Sequence, residues 1–316
     1  MKLLIAYDGS RCSEAALDDL ARAGLPDEGE ALIFSVAETW LTPPENGENV
    51  TEHAHKLATD PQYLKNHGNG GKAVLEVETL ANHARKRLQR FFPRWKIEAE
   101  TAYGTSPASE ILQRAETFEP DLIVAGSHGR TAIGRFLLGS ISQKVLTEAN
   151  CSVRIARGKV EVDPTPVRII IGFDGSPGAE AAVEEVVSRK WREHSQVHLV
   201  TATAPIAPST IGRFVPPIVH WVEEVNQSER EWIEKLAEKS LIMLGEAGLE
   251  AKLYIPSGNP KQVLVEEADR WSADCIFVGA NAFGSRLERV FLGSVSEAVA
   301  KRASCSVEVI RKKTKE

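Results

Sequence analysis

The chain has 316 residues, 42% of them hydrophobic and 26% charged, with a formal net charge of −6 and a sequence pI of about 5.9. These are the proportions of an ordinary globular protein, and they exclude collagen-like, disordered and coiled-coil chains. The acidic balance argues against general DNA or RNA binding, which needs a concentrated basic surface. Since no apolar run approaches the roughly 20 residues of a membrane-spanning helix and no secretory signal follows Met1, we expect a cytoplasmic protein without nucleic-acid or membrane partners.

Strands and helices alternate along the first half of the chain. Short apolar runs predict strands buried on both faces, and apolar residues at helical spacing predict helices. Strands are predicted at 3–7, 31–36, 96–103, 122–125 and 153–156, and helices at 10–23, 75–92, from 107, and at 140–149. Strands that alternate with helices need crossover connections, so the pattern predicts a parallel, doubly wound α/β sheet.

The segment 38–71 departs from this alternation. It is polar, and it contains Pro43, Pro44 and glycines at 68, 70 and 71. Three histidines, His53, His55 and His67, suggest a metal site, but no carboxylate or cysteine stands at a recognisable ligand spacing. We therefore predict a solvated, mobile loop or lid here, and no bound metal.

The second half of the chain repeats the plan of the first. Three short motifs recur in the same order: Asp-Gly-Ser at Asp8 and Asp174, Leu-Gly-Ser at Leu138 and Leu292, and Cys-Ser-Val at Cys151 and Cys305. One fold used twice explains this order. We predict a first domain at 1–159, a linker rich in proline at 160–166, and a second domain at 167–316.

The four cysteines do not form a recognisable framework. No CxxC pair occurs among them, and they stand far apart at Cys12, Cys151, Cys275 and Cys305. Four cysteines in a chain of this length do not make a disulfide scaffold. We expect reduced, mostly buried thiols that act as small hydrophobic side chains.

The segments that follow the first and fourth strands are the best candidates for a binding site. In an open α/β sheet, ligands bind beyond the carboxyl ends of the strands. Asp8 follows the first strand, and a glycine loop from Gly126 to Gly139 follows the fourth. The sequence from Ser140 to Gln143 has the form of a capping box at the start of a helix. Helix N-termini attract phosphate, although a satisfied capping box uses some of the same N–H donors itself.

The spacing Gly126-x2-Gly129-x9-Gly139-Ser140 resembles the nucleotide-binding signature of the universal stress protein (UspA-like) family. The resemblance covers nearly the whole chain as two tandem domains and leaves out 38–71. It implies the adenine nucleotide alpha hydrolase-like fold, two five-stranded parallel sheets of strand order 3-2-1-4-5, and ATP, with or without Mg²⁺, as the ligand. It also implies that the fifth strands pair within the chain, as a built-in pseudo-dimer, and makes a homodimer of chains plausible.

The resemblance also assigns roles to individual residues of the first domain. It implies that Asp8 lies beside the nucleoside and that Val36 lines the adenine pocket. It implies that the ribose and phosphate are approached by Gly126, His128 and Gly129, and that the phosphate tail is held by Gly139, Ser140, Ile141 and Ser142. From the residues alone, Asp8 could instead cap the following helix, and Val36 could be ordinary core. His128 has no flanking carboxylate, so we interpret it as a polar contact and not as a general base.

The second domain departs from the signature. Ala282 stands where the second loop glycine is expected, and ten residues instead of nine separate it from Gly293, although Gly284 could compensate for the missing glycine. We predict a weaker or empty second site, whose candidate residues are Asp174, Gly279, Gly293, Ser294, Val295 and Ser296.

Sequence signals for catalysis are missing. No GxxxxGK[ST], no GxGxxG after a strand and no GxSxG elbow occurs, so the motifs do not predict an enzyme. We expect a cytoplasmic, ATP-binding regulator of a stress response that acts on an unidentified protein partner. The alternatives are a nucleotide-independent interaction or scaffold protein, and a slow ATPase or self-phosphorylating protein modified at Ser140 or Ser142.

Overall fold

The computed structural model describes residues 1–38, 68–128, 138–157, 165–207, 209, 215–280 and 292–312. The chain divides into two compact units, one of Met1–Ala21 with Pro26–Val162 and the other of Arg22–Leu25 with Asp163–Glu316. The bounds predicted from the sequence, two domains at 1–159 and 167–316 with a linker at 160–166, stay a prediction.

The first unit is a parallel five-stranded sheet with helices in the crossover connections. Its strands lie in the order β3-β2-β1-β4-β5, and every neighbouring pair is parallel. The predicted fold class and strand order are therefore confirmed. In chain order, its elements are β1 (Lys2–Ala6), α1 (Arg11–Leu20), β2 (Glu30–Glu38), α2 (Gly68–Phe91), β3 (Lys96–Gly104), α3 (Pro107–Phe118), β4 (Leu122–Gly126), α4 (Ser140–Glu148) and β5 (Ser152–Ala156).

The second unit repeats this architecture. Its strands lie in the order β8-β7-β6-β9-β10, again all parallel, which is the same 3-2-1-4-5 arrangement. Its elements are β6 (Arg168–Gly172), α5 (Pro177–Val187), β7 (Gln196–Val200), α6 (Pro216–Glu246), β8 (Glu250–Tyr254), α7 (Pro260–Trp271), β9 (Cys275–Gly279), α8 (Ser294–Arg302) and β10 (Ser306–Ile310).

The bounds predicted for the loop at 38–71 are wrong at both ends. Helix α2 begins at Gly68, so the glycines at 68, 70 and 71 are helical, and β2 continues to Glu38. Glycine inside a helix costs up to about 1 kcal/mol, but the later turns of α2 bury one face against the sheet, and that packing sustains the helix. The buried residues follow helical spacing: Val77, Ala81, Ala84 and Leu88. Residues 39–67, with His53, His55 and His67, lie outside the described part of the chain.

Each unit buries one charge in the middle of its fifth strand. In β5, Arg154 is fully buried, and its Nε donates to the Asp19 carboxylate at 2.6 Å. At the same position of β10 stands Glu308, also fully buried, which accepts from Arg189 at 3.1 Å. The two domains therefore place opposite charges at one strand position, and each charge has a partner of the opposite sign within its own unit.

For membrane spans, metal ligands and thiols, the structure gives findings for the described residues. No helix among them has the length and hydropathy needed to cross a bilayer. Within the same ranges, no group of three or more histidine, cysteine, aspartate or glutamate side chains lies close enough to hold a metal ion. Cys151, Cys275 and Cys305 are buried and Cys12 is half-buried.

Candidate functional site

The turn after β1 presents Asp8 at the carboxyl edge of the first sheet. Its Oδ1 accepts a hydrogen bond from the Ser10 N–H at 3.0 Å, and Ser10 in turn is the N-cap of α1, with Oγ accepting from Ser13 N–H. The alternative that Asp8 itself caps α1 is therefore wrong. Gly9 between them has φ of +75°, where a side chain would be strained and a Cβ would meet Leu80. The turn holds the Asp8 carboxylate at the start of α1.

The end of β4 lies directly against the first turn of α1. A Cβ on Gly126 would come within 2.8 Å of the Cys12 backbone carbonyl carbon, so only glycine lets the two backbones approach this closely. The Ser10 hydroxyl also lies 3.4 Å from the carbonyl oxygen of His128. The structure thus brings the Asp8 turn and the segment after β4 together, as the strand-end argument predicted.

Two hydrogen bonds fix the tip of α4 beside the same strand end. The Gly139 N–H donates to the Ser127 carbonyl at 2.8 Å, and the Ser142 hydroxyl donates to the Gly126 carbonyl at 2.7 Å. Ser142 is buried, whereas Ser140 is exposed. Ile141 stands between them, so these hydrogen bonds place Gly139, Ser140, Ile141 and Ser142 beside Gly126 at the carboxyl end of β4.

The predicted capping box at Ser140 is wrong. The N-cap of α4 is Gly139, with no side-chain hydrogen bond, and α8 in the second unit likewise begins after an uncapped Gly293. Glycine has no side-chain oxygen with which to cap the first N–H groups of the helix. Among the described residues, no N-cap side chain competes with an external anion for those donors and for the positive end of the helix dipole.

His128 contributes a nitrogen without a partner in the described part of the chain. Its Nδ1 lies 3.1 Å from the Ser127 hydroxyl, while Nε2 is buried and makes no hydrogen bond to any described residue. Burial, and in second place the positive charge of Arg157, lowers the pKa of this imidazole. A buried polar atom without a partner is costly, so this nitrogen is suited to bind a ligand. Gly129, the next residue of the signature, lies outside the described residues.

The end of β2 carries a second polar atom that has no partner among the described residues. Ser35 is 1% exposed and its hydroxyl makes no hydrogen bond to them, whereas the corresponding Thr201, directly after β7, donates to the Phe173 carbonyl at 2.8 Å. Val36, the next residue, is half-buried and pairs with Ala102 of β3. Sequence reasoning missed Ser35, although a single hydroxyl within an apolar strand was a usable signal.

A polar network below the Asp8 turn was also missed. The Tyr7 hydroxyl donates to Glu14, and Arg87 of α2 donates to both Glu14 and Asp18 of α1. Burial and the hydrogen bond to Glu14 raise the pKa of Tyr7 well above its ordinary value. These contacts bind α2 to α1 below the candidate site. They join residues far apart in the sequence, so spacing could not reveal them.

The second unit reproduces part of this arrangement. Asp174 accepts from the Ser176 N–H at 3.0 Å, the Ser296 hydroxyl donates to the Gly279 carbonyl at 2.5 Å, and Gly293 N–H donates to the Ala280 carbonyl at 2.6 Å. Ser294 and Val295 begin α8 beside them. Ala280 replaces the hydroxyl that Ser127 supplies in the first unit. Asn281, Ala282 and Gly284 lie outside the described residues, so the predicted weakness of this site stays a prediction.

Comparison with known proteins decides the family. The model of the "Universal stress protein family" matches residues 1–157 and 167–311, which is nearly the whole chain. The chain belongs to the universal stress protein family. A universal stress protein of Mycolicibacterium smegmatis is 31% identical over 98% of this chain and 96% of its own length. Another, Mb2028c of Mycobacterium bovis, is 28% identical over 68% of this chain and 69% of its own length.

A solved structure of the same family supports the fold at full length. A universal stress protein from Archaeoglobus fulgidus superposes with a TM-score of 0.62 and covers 100% of this chain and 97% of its own, at 20% sequence identity. At this identity, the comparison establishes the architecture and not the ligand. Family membership therefore confirms the resemblance inferred from the glycine signature, while the assignment of individual site residues stays a prediction.

Proposed function

We propose that this universal stress protein binds an adenine nucleotide, ATP, through its first domain, and that binding regulates its association with a protein partner during a stress response. Two observations carry the proposal: the tip of α4 at Gly139 has no side-chain cap, and the buried Nε2 of His128 has no partner among the residues that the structure describes. Both groups lie at the carboxyl edge of the sheet, where they can form hydrogen bonds with the phosphate or ribose oxygens of a ligand.

The described residues fit the two ends of a nucleotide differently. The N–H groups at Ser140, Ile141 and Ser142 supply donors and a partial positive charge for the phosphates. The end of β2 offers Val36 as an apolar wall for a purine, beside the unpartnered hydroxyl of Ser35. Asp8 supplies a carboxylate that can accept from a ribose or base donor. In this proposal any Mg²⁺ is carried by the phosphates of the nucleotide, and no group of three or more metal-ligating side chains is found among the described residues.

The first domain is the proposed principal site, because the second lacks two of the supporting features. Ala280 has no hydroxyl at the position of Ser127, and Thr201 already donates to a carbonyl where Ser35 does not. The substitution of Ala282 for a signature glycine adds a Cβ to the loop. We place Asp174, Gly279, Gly293, Ser294, Val295 and Ser296 around a weaker second site.

Two experiments test nucleotide binding and its location. Thermal unfolding with saturating ATP should raise the midpoint of the wild-type protein, because a ligand of the folded state stabilises it. Gly129→Val should abolish this shift, and the matched Ala282→Val in the second domain should leave it intact. Calorimetry should give one strong site per chain. No shift with ATP would refute the proposal, and two equal sites would refute the preference for the first domain.

The alternative functions predict different results. A nucleotide-independent scaffold would keep its partner binding in the Gly129→Val variant, whereas the proposed regulator would lose the ATP dependence of that binding. A slow ATPase would release phosphate steadily in the presence of Mg²⁺-ATP. Of the two serines considered for self-phosphorylation, Ser140 is exposed, while the hydroxyl of Ser142 is buried and donates to Gly126. Ser140 is therefore the better acceptor. The cytoplasmic location stays a prediction.

A further inference from the structure

Arg157 stands beside the candidate nucleotide site, at a position that the glycine signature does not include. Strand β5 ends at Ala156, which pairs with Gly126, the last residue of β4. In a parallel pair, the residues that follow the two strands leave the sheet side by side at its carboxyl edge. Arg157 therefore leaves the sheet next to Ser127, whose carbonyl oxygen accepts from the Gly139 N–H at the tip of α4.

The side chain of Arg157 acts on the segment that follows β4. Arg157 is half-buried, and its Nη1 atom is buried. Its positive charge, second to burial, lowers the pKa of the His128 imidazole, so the guanidinium lies close enough to this ring to act on it. The Nε2 atom of His128 has no partner among the described residues. A full positive charge is thus near the nitrogen that the proposed function assigns to the ligand.

An arginine recurs at the same point of the second unit. Arg311 directly follows β10, as Arg157 directly follows β5. The last residue of β10, Ile310, accepts through its carbonyl oxygen from the N–H of Ala280, the residue that follows β9, at 2.9 Å. Arg311 is half-buried, as Arg157 is. The arginine therefore belongs to the architecture that the two domains share at the carboxyl edge of the sheet.

We propose that Arg157 binds the phosphate groups of the nucleotide and makes the first domain prefer phosphorylated adenosine to adenosine itself. This inference rests on the proposed function and adds a residue to its site. A guanidinium presents its N–H donors in a planar fork that fits the oxygens of a phosphate. It also carries a full charge, whereas the N-terminal end of a helix carries about half of one.

The charge of the chain makes a cation at this position important. The formal net charge is −6, and a protein of this sign repels a polyanion such as ATP at long range. Asp8 also places a carboxylate at the same edge of the sheet. The attraction for phosphate must therefore come from groups at the site. Arg157 is partly buried, where water and salt screen its charge less than at an exposed position.

A purely structural role for Arg157 predicts a different result. An arginine that only held the segment of Ser127 and His128 in place would affect every ligand of the site alike. An arginine that binds phosphate affects ATP and leaves adenosine, which has no phosphate, unchanged. The two roles are therefore separated by the choice of ligand.

Calorimetry with ATP and with adenosine tests the role of Arg157. In Arg157→Gln, the dissociation constant for ATP should rise by about tenfold or more, as expected for the loss of hydrogen bonds to a charged group, while that for adenosine should stay within about twofold. Arg157→Lys keeps the charge and loses the planar fork, so it should bind ATP with an intermediate affinity. If Arg157→Gln does not fold, the lysine variant decides by the same comparison. Equal losses for both ligands, or no loss for ATP, would overturn the proposal.

Arg311→Gln is the matched control, because it removes the same charge from the equivalent position of the second domain. It should leave the affinity of the strong site for ATP unchanged. An equal loss of ATP affinity in this variant would assign the effect to the overall charge of the chain and overturn the proposal. Wild-type protein and Arg157→Gln that bind ATP equally well would remove this role of Arg157 and leave the proposed function intact. A wild-type protein that does not bind ATP would refute both.

Discussion

The hydroxyl of Ser142 donates a hydrogen bond to the carbonyl oxygen of Gly126, 2.7 Å away, and ties the first turn of α4 to the end of β4. Ser296 makes the same bond to Gly279 in the second domain, at 2.5 Å. In both domains the bond joins the helix tip to the strand end and so fixes the direction in which the uncapped N–H groups point. The two sites share this tie even though their loops differ in sequence.

We predict that Ser142→Ala lowers both stability and nucleotide affinity. Loss of one buried hydrogen bond costs about 1 kcal/mol, and the helix tip is then less well positioned for phosphate. Ser296→Ala is the matched variant, because it removes the same bond from the second domain. It should lower stability by a similar amount while leaving ATP affinity nearly unchanged. Denaturant unfolding and calorimetry measure the two effects, and an equal loss of affinity in both variants would contradict a principal site in the first domain.

We expect substitution by alanine to have opposite effects on stability at two glycines, Gly126 and Gly245. Gly126→Ala would push a Cβ to within 2.8 Å of the Cys12 backbone, which cannot move aside as a flexible side chain can. We expect a loss of stability of roughly 1–3 kcal/mol, as for overpacking of a core, together with weaker nucleotide binding.

Gly245→Ala provides the control for this substitution. Gly245 lies in the last turn of α6, and a Cβ there would meet nothing within 4 Å. Alanine has the higher helix propensity, so the variant should be more stable by up to about 1 kcal/mol. Thermal unfolding compares the two variants directly. A neutral Gly126→Ala would show that the approach of α1 to β4 does not need glycine.

The stability of the second domain should fall in mild acid because of His198. This imidazole stacks on Trp271 with ring centroids 3.6 Å apart, and its Nδ1 lies 2.8 Å from the buried carboxylate of Glu267. Burial lowers the pKa of His198, and the neighbouring cations lower it further: Lys252, Arg270 and Arg168. The folded domain therefore holds the neutral ring.

The sign of the pH effect follows from this shift. Below the ordinary histidine pKa of about 6.5, the unfolded chain binds a proton that the folded chain does not, so the free energy of unfolding decreases as the pH falls through this range. His198→Asn should reduce the loss of thermal stability between pH 7.5 and 5.5. His194→Asn is the control, since His194 is 78% exposed at its side chain. A pH dependence unchanged by His198→Asn would rule out this histidine as the cause.

The sequence predicted the fold well because the signals are local and repeated. Runs such as 122–125 are continuously apolar, and strands of this kind are buried on both faces of a parallel sheet. The alternation of strands and helices and the repeated Asp-Gly-Ser motif then predicted two doubly wound sheets. The start of α2 at Gly68 was missed, because glycine has a low helix propensity and the packing of Leu88 and its neighbours, which sustains the helix, cannot be read at that point.

The sequence predicted which segments meet, and it predicted their local geometry less well. The ends of β1 and β4 and the tip of α4 lie together as expected, while nucleotide binding there stays a prediction. The capping box at Ser140 was wrong, because the pattern of residues that defines a box does not determine whether the helix begins one residue earlier, at Gly139. The unpartnered nitrogen of His128 and the network of Tyr7, Glu14 and Arg87 depend on side-chain contacts across the fold, which no local pattern encodes.

The opposite charges at Arg154 and Glu308 limit how far the two halves of this chain can be exchanged. Duplicated halves begin as copies, but these two have since become specialised at one interior position. A graft of β5 into the place of β10 would bring a second guanidinium to Arg189, with no carboxylate from that strand to neutralise it. Exchange of the two strands therefore requires a simultaneous change at Arg189.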